Sequence, residues 1–193
     1  MAAIPPHGFS RSDDGTKIAV NGVQIQTTGR IWLPAGSALP RASNGAAEAS
    51  PAETSTNKVN YAYLDFDPDT DEFCQWQFQM PHDYDGGTVT AQVLWGAASG
   101  AGDVVWATQL VMLPDLGTLD TAFGTAVSVS DTLSATSKIH KTLVSGAITP
   151  GGTAAADNWC VVQLYRDANA TADTLTADAS MIGVALYYTP LGI

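Results

Sequence analysis

The chain reads as an all-β protein: an antiparallel β-sandwich of the jelly-roll kind with about eight strands, preceded by an extended N-terminal arm that carries a small β-hairpin. Three observations predict it. Runs of strand length with apolar and polar residues in alternation recur from residue 59 onward. Glycine-rich turns separate them, including Asp85-Gly86-Gly87, Ser99-Gly100-Ala101-Gly102 and Pro150-Gly151-Gly152. Almost no stretch sustains a helical period, and many short strands between such turns pack best as two facing sheets. With 193 residues, 45% of them hydrophobic and 14% charged, the chain can bury one core. An immunoglobulin-like sandwich is the alternative, but its Cys, Trp, Cys order is not met, because Trp76 follows Cys74 inside one strand.

Each element follows from local pattern. In TKIAVNGVQIQTTG, Asn21-Gly22 separates Lys17–Val20 from Val23–Thr27, and Asn-Gly supplies the positive-φ pair of a type I′ turn, so a hairpin is expected. The following segment, RIWLPAGSALPRASNGAAEASPAETSTNK, has three prolines and no period. It reads as extended arm or linker, with Ile31, Trp32 and Leu33 as its one adhesive spot. The division is therefore an arm over 1–58 and a sandwich over 59–193. Strands are expected over Tyr61–Phe66, Glu72–Met80, Thr88–Trp95, Asp103–Leu113, Ala126–Leu133, Ile139–Ser145, Trp159–Asp167 and Ser180–Thr189. In the second, Cys74, Trp76, Phe78 and Met80 share one face and Gln75, Gln77 and Gln79 the other. The fourth is apolar on both faces, so Val105, Ala107, Val111 and Leu113 are candidates for a subunit contact. A short helical turn is expected around Leu119–Phe123.

Net charge is -11, and only eight residues are Lys or Arg, so an electrostatic footprint for nucleic acid or an anionic membrane is missing. No apolar run reaches the roughly 18 residues that a spanning helix needs, and the N-terminus lacks a leader pattern, so synthesis in the cytoplasm is expected. The charge is uneven. Residues 1–58 hold five basic and four acidic residues, whereas 59–193 hold three basic and fifteen acidic ones, which suggests two roles.

Catalytic and metal chemistry find little support. Asp67, Asp69 and Asp71 open like a calcium loop, but Glu72 stands where Gly is required and Phe78 where a bidentate Glu is required. A turn built on Pro68, with Asp67 and Asp69 as polar formers, is the better reading. Carboxylates from Asp65 to Asp71, with Asp83, Asp85 and Asp178, could pair for glycoside hydrolysis, yet nearly all sit in or beside turns, where Asp is expected anyway. His7, His82 and His140 are scattered, and no Ser or Cys lies in a nucleophile turn. No metal-ligand spacing is present, and no cofactor is expected. Cys74 and Cys160 read as buried thiols, with a disulfide between adjacent strands as the alternative. Trp76 and Trp95 point inward and Trp106 and Trp159 lie in covered strands. Tyr84, Tyr187 and Tyr188 are thus the better candidates for exposed aromatics.

Four stretches in order resemble a widespread group of tailed-bacteriophage and prophage virion proteins: WLPAGSALPRASNGAA, NYAYLDFDPDTDEFCQWQFQMPHDYDGGTVTAQVLW, VVWATQLVMLPDLGTLDTAFGTAVSVSDTL and VVQLYRDANATADTLTADASMIGVALYYT. The shared features are a strand ending in a "DFD" turn, a "MP…YDGGTVT" connection, an "LD.AFGTA" turn and a "YRD…DTL…DA…GV…YT" ending. They cover Trp32 to Thr189. The resemblance implies a non-enzymatic β-sandwich protein of the head surface or tail tip, often trimeric. The expected role is capsid decoration on the virion exterior, with the major capsid protein as partner and a homotrimer as assembly. Ile4, Phe9, Arg11, Lys17, Asn21, Gly22, Arg30, Ile31, Trp32 and Leu33 of the arm would make the capsid or subunit contacts, and Arg41 would add a further pair to an acidic shell. The alternative is a tail fibre or spike that binds a host glycan through the loops Asp83–Gly87, Ser99–Asp103 and Asn169–Asp173.

Overall fold

The computed structural model describes residues 28–191 in full and, before them, the backbone of three short strands. These are β1 (Phe9–Arg11), β2 (Lys17–Val20) and β3 (Val23–Gln26), an antiparallel sheet in the order β1-β2-β3. The expected hairpin is present as β2 and β3, closed by the pair Val20 and Val23. One further strand joins it. Ile4, Asn21 and Gly22 lie outside the described residues, as do the side chains of Phe9, Arg11 and Lys17.

The rest is a sandwich of two six-stranded sheets. Its strands are β4 (Gly29–Pro34), β5 (Leu39–Pro40), β6 (Ser50–Glu53), β7 (Asn60–Phe66), β8 (Glu72–Gln79), β9 (Thr90–Gly96), β10 (Asp103–Leu113), β11 (Val127–Thr132), β12 (His140–Lys141), β13 (Gly151–Gly152), β14 (Trp159–Arg166) and β15 (Ala179–Tyr188). One sheet runs β11-β10-β14-β8-β5, with the two-residue β13 parallel to β10. The other runs β12-β9-β15-β7-β6, and β4 takes over beside β15 where β7 leaves it. Every pairing except that of β13 is antiparallel. All eight long runs expected from alternation appear as strands. The run expected over Ile139–Ser145 keeps only two ladder residues. Beyond them the Thr142 and Ser145 hydroxyls accept the N–H groups of Val93 and Ala91, so side chains replace part of the ladder. Leu119–Phe123 forms no helical turn.

The core lies between the layers. Leu64, Phe66, Trp76, Val93, Trp95, Trp106, Leu110, Leu164, Val184 and Leu186 are buried there. Phe66 meets Trp106 edge to face with ring centroids 5.0 Å apart, a favoured aromatic geometry. Cys74 and Cys160 are buried free thiols, and the register separates them, since Cys74 faces Leu164 and Cys160 faces Phe78 across β8 and β14. Burial pushes both thiols up, that of Cys160 to about 12.

Two expectations need correction. The segment from Gly29 onward is not a free arm: β4 pairs with β15 over six residues, Leu33 is buried, and Ile31 packs on the core. Its prolines sit at the end of β4, in the short edge strands β5 and β6, where a missing N–H costs no central ladder bond. Val105, Ala107, Val111 and Leu113 are each at most 6% exposed within the single chain, so they offer little surface to another subunit. The chain's own segments bond along that strand. The Asp167 N–H donates to the Val105 carbonyl, the Val105 N–H donates to Asp173, and β13 pairs beside Val111.

One end of the sandwich is closed by Arg166, whose side chain is fully buried. Nε and Nη2 donate to the two oxygens of Asp173 at 3.0 and 2.7 Å. Nη1 donates to the carbonyls of Phe66 at 3.1 Å and Ala177 at 2.9 Å, and Nη2 also donates to that of Leu175. All five guanidinium donors are used. Removing one partner of such a pair leaves a buried charge uncompensated. Arg166→Met is therefore expected to lower unfolding free energy by about 3–5 kcal/mol, and adding Asp173→Asn to recover part of that loss. Urea denaturation measures both; a loss below about 1 kcal/mol for the single variant contradicts the clamp.

Candidate functional site

An open groove of about 410 Å³ runs along one side of the sandwich between β4 of one sheet and β8 of the other. It exists because the chain changes sheets there. After β4, a 3-10 turn at Ala35–Ser37 carries the backbone across, and β5 then pairs with β8 only at Gln75 and Cys74. Among the described residues, no strand pairs with Trp76–Gln79 on that side. Ile31, Leu33, Trp76 and Phe78 supply apolar lining, while Ser37, Gln77 and Gln79 supply polar groups. The Trp76 indole N–H donates across the layers to the Pro34 carbonyl at 2.9 Å and fixes the inner end of the groove.

Trp32 lines the same groove and is 41% exposed. Its indole packs against β15 because position 183 is glycine: a Cβ there would stand 2.4 and 2.6 Å from the ring atoms Cζ2 and Cη2. The Arg30 guanidinium lies 5.8 Å from the Trp32 ring and 5.9 Å from the Tyr187 ring, within cation–π range of both. The Tyr187 hydroxyl donates to Gln92 at 3.1 Å. An aromatic and amide platform thus sits on the outer face of the sheet beside the groove.

Of the expected arm contacts, Ile31, Trp32 and Leu33 line this groove, with Ile31 and Leu33 turned into the core, and Arg30 lies beside it over the Trp32 and Tyr187 rings. Arg41 is engaged on the outer face of the other sheet, 3.8 Å over the Phe73 ring and bonded to the Ser43 carbonyl. Sequence reasoning missed Gln77, Gln79 and Gly183. The signal for the glutamines was present in their alternation with Trp76 and Phe78, but the absence of a strand beside them depends on the remote crossover. The aromatic assignments change as well. Tyr84 and Tyr188 are buried, packed edge to face 6.1 Å apart, whereas Trp159 is 38% exposed at the start of β14.

The three loops expected to form a single binding rim lie at two ends of the sandwich. Ser99–Asp103 and Asn169–Asp173 meet near Arg166, where the Asp103 carbonyl accepts from the Thr174 and Leu175 N–H groups. Asp83–Gly87 lies at the opposite end of β15, where the Asp85 N–H donates to the Thr189 carbonyl. They therefore build no common surface.

The carboxylates near Arg166 serve structure. The Asp67 oxygen Oδ1 accepts the N–H groups of Asp69 at 2.6 Å and Thr70 at 3.1 Å, the side-chain turn expected around Pro68. Glu72 accepts the Asp67 N–H at 2.8 Å, and Asp71 accepts from Asn169. Among the described residues, no group of three His, Cys, Asp or Glu is arranged to hold a metal ion. Burial raises the Glu72 carboxyl above its ordinary value, with the Asp67 and Asp178 charges adding to the rise and the Asp67 N–H opposing it. Burial likewise raises Asp178, helped by Asp65 and Asp67, and Asp167, helped by Asp71 and Asp173. Burial and like-charged neighbours drive these rises, and the Arg166 charge opposes them at Glu72 and Asp178.

No family model and no curated protein matches the chain. Among solved structures, a family 35 carbohydrate-binding module from Clostridium thermocellum matches with a TM-score of 0.47 at 8% identity, over 82% of this chain and 97% of that one. A xylan-binding domain from carbohydrate-binding module family 22 matches at 0.45 and 14% identity, over 84% and 96%. A non-crystalline cellulose specific module of family 28 matches at 0.43 and 7% identity, over 80% and 86%. These values are too low to carry a site or a ligand from one chain to the other.

The raised carboxyls give a pH prediction. A group whose folded pKa exceeds its unfolded one favours the native state below the unfolded value of about 4, and that contribution is lost as pH rises through the folded value. Glu72→Gln keeps an acceptor for the Asp67 N–H and removes the charge. It is expected to raise the denaturation midpoint at pH 7 and to flatten the fall in stability above pH 4; an unchanged pH profile contradicts the assignment.

Proposed function

We propose that the chain is a non-enzymatic structural protein of a tailed-phage particle, a decoration protein whose N-terminal residues attach to the major capsid protein and whose sandwich faces outward. The observation that carries this reading is the division between the two parts. The strands β1–β3 pair only with one another among the described residues, in a segment of near-neutral charge, while the sandwich carries nearly all the negative charge. The recurrence of the DFD, YDGGTVT and AFGTA turns in virion order supports it, and so does the absorption of the Asp residues nearest Arg166 into turns and the buried clamp. Arg30 and Arg41 are held by aromatic rings of the sandwich, so Arg11 and Lys17 are the basic residues that this reading assigns to an acidic shell surface.

Charge reversal tests it in the full-length protein. Arg11→Glu combined with Lys17→Glu is expected to reduce occupancy on purified heads by about tenfold at moderate salt, since like charges placed face to face cost several kcal/mol. Wild-type occupancy by the double variant, measured by quantitative gel densitometry of washed particles, contradicts it.

One observation favours the fibre or spike alternative: Trp32 is partly exposed beside amide side chains, the combination that stacks on and hydrogen-bonds to sugar rings. Under that reading a glycan array gives binding that Trp32→Ala abolishes, and labelled antibody marks the tail. Under the decoration reading the array is blank and the antibody marks the head.

A further inference from the structure

The groove side of β8 is an unsatisfied strand edge. On that side the Phe73 carbonyl accepts from the Arg41 and Ala46 N–H groups, and the Phe73 N–H donates to the Asn44 carbonyl. On the other side Met80 bonds with Asn158 and Asp157, in line with the β14 ladder. Backbone direction alternates along a strand, so the N–H and C=O groups of Gln77 and Gln79 point the same way as those of Phe73. There β5 has already ended. These two residues present two donors and two acceptors to an open, apolar-walled slot, the arrangement that recruits another strand.

The chain carries a strand with a matching free edge. In the sheet β1-β2-β3, β3 is an end strand with one side unpaired among the described residues. Its sequence, Val23-Gln24-Ile25-Gln26, alternates β-branched residues with glutamine, as Gln75-Trp76-Gln77-Phe78-Gln79 alternates aromatics with glutamine. An amide ladder already crosses this sheet, since Gln75 Nε2 donates to Gln163 Oε1 at 2.8 Å between β8 and β14. That row ends on Leu39 of β5, so a β3 strand laid along Gln77–Gln79 would start a second row, with its glutamines beside theirs on the outer face and its β-branched residues toward Ile31 and Leu33.

A chain does not reach its own slot. Only residues 27–28 join β3 to β4, which belongs to the opposite sheet. From residue 26 to residue 29 the backbone spans at most about 11 Å. Crossing the layer spacing of about 10 Å consumes that reach and leaves no residue for the turn. We propose that the free edge of β8 takes the β3 edge of a second copy, so that the sheet β11-β10-β14-β8 of one subunit runs on into β3-β2-β1 of its neighbour. The contact is head to tail, so it generates a ring where the rotation between copies closes and an open filament where it does not. It depends on the two strand edges alone and stands whether the particle reading above holds or fails.

Crosslinking in the full-length protein tests it. One variant carries Gln77→Cys; the other, labelled with 15N, carries Gln24→Cys or Gln26→Cys to cover both registers. Cys74 and Cys160 are buried and held as thiols, so they stay silent under mild oxidation. The expected result is a labelled–unlabelled disulfide at least tenfold more abundant than the self-linked product of any variant alone. In parallel, Gln77→Pro, which removes an N–H that has no partner among the described residues of one copy, is expected to keep the native melting temperature and to sediment as monomer. The proposal is overturned if mixed disulfides do not exceed self-linked ones. It is equally overturned if a chain with both substitutions closes on itself at dilution, or if the folded Gln77→Pro protein sediments as the wild type does.

Discussion

The sandwich depends on a single buried cation. Arg166 ends β14 in one sheet and bonds to the Phe66 carbonyl, which ends β7 in the other. Through Asp173, Leu175 and Ala177 it also shapes the connection from β14 to β15. A guanidinium is suited to this position because its donors are fixed in one plane and fan outward to several acceptors at once; a lysine ammonium could reach few of them. The cost of burying the charge is offset only because each donor is used and Asp173 neutralises it. The surrounding acids are raised in spite of that charge: burial and the neighbouring turn-forming carboxylates disfavour their ionised forms, while Arg166 pulls Glu72 and Asp178 the other way.

Two indoles repeat the cross-layer device at the sides. Trp76 donates to Pro34 on the groove side, and Trp95 donates to Asp131 at 2.8 Å near the opposite edge, each tying one sheet to the other. Tryptophan fits because its ring fills core volume while the N–H reaches the rim. Three polar links are thus distributed around an apolar interior, so the layers keep their register while the outer loops are left to vary.

How much of this was legible in the sequence follows from the range of the forces involved. Alternation is local, so strands such as Glu72–Gln79 and Thr90–Gly96 could be read directly from residues two apart. The hairpin could be read from Asn21-Gly22 for the same reason. The contribution of Gly29–Pro34 could not, because its partner β15 lies about 150 residues away and its prolines resemble a linker. The double apolar face of β10 was correctly seen but assigned to a partner subunit, whereas its residues are already buried within the single chain. Arg166 gave no local sign of burial; its sequence context, YRDAN, looks like the polar end of a strand. Of the candidate site, Trp32 was singled out, while the vacancy beside Gln77 depends on where the chain crosses between layers.

That crossing explains why the molecule has a groove at all. Had the chain run straight from β5 back along β8, residues before Leu39 would have paired with Gln77 and Gln79 and sealed the edge. Instead Pro34 ends β4, the 3-10 turn spends three residues on changing layers, and Leu39 and Pro40 arrive too far along β8 to cover its second half. A sheet edge flanked by Trp32 and Phe78 is a liability in an isolated subunit, since unpaired backbone groups beside apolar walls invite uncontrolled pairing. Neither of the usual protections stands on this stretch: there is no charged side chain and no proline between Trp76 and Gln79. An edge left so plain is one that assembly uses, and the strand alternation that made β8 easy to read also makes it a template for the next strand.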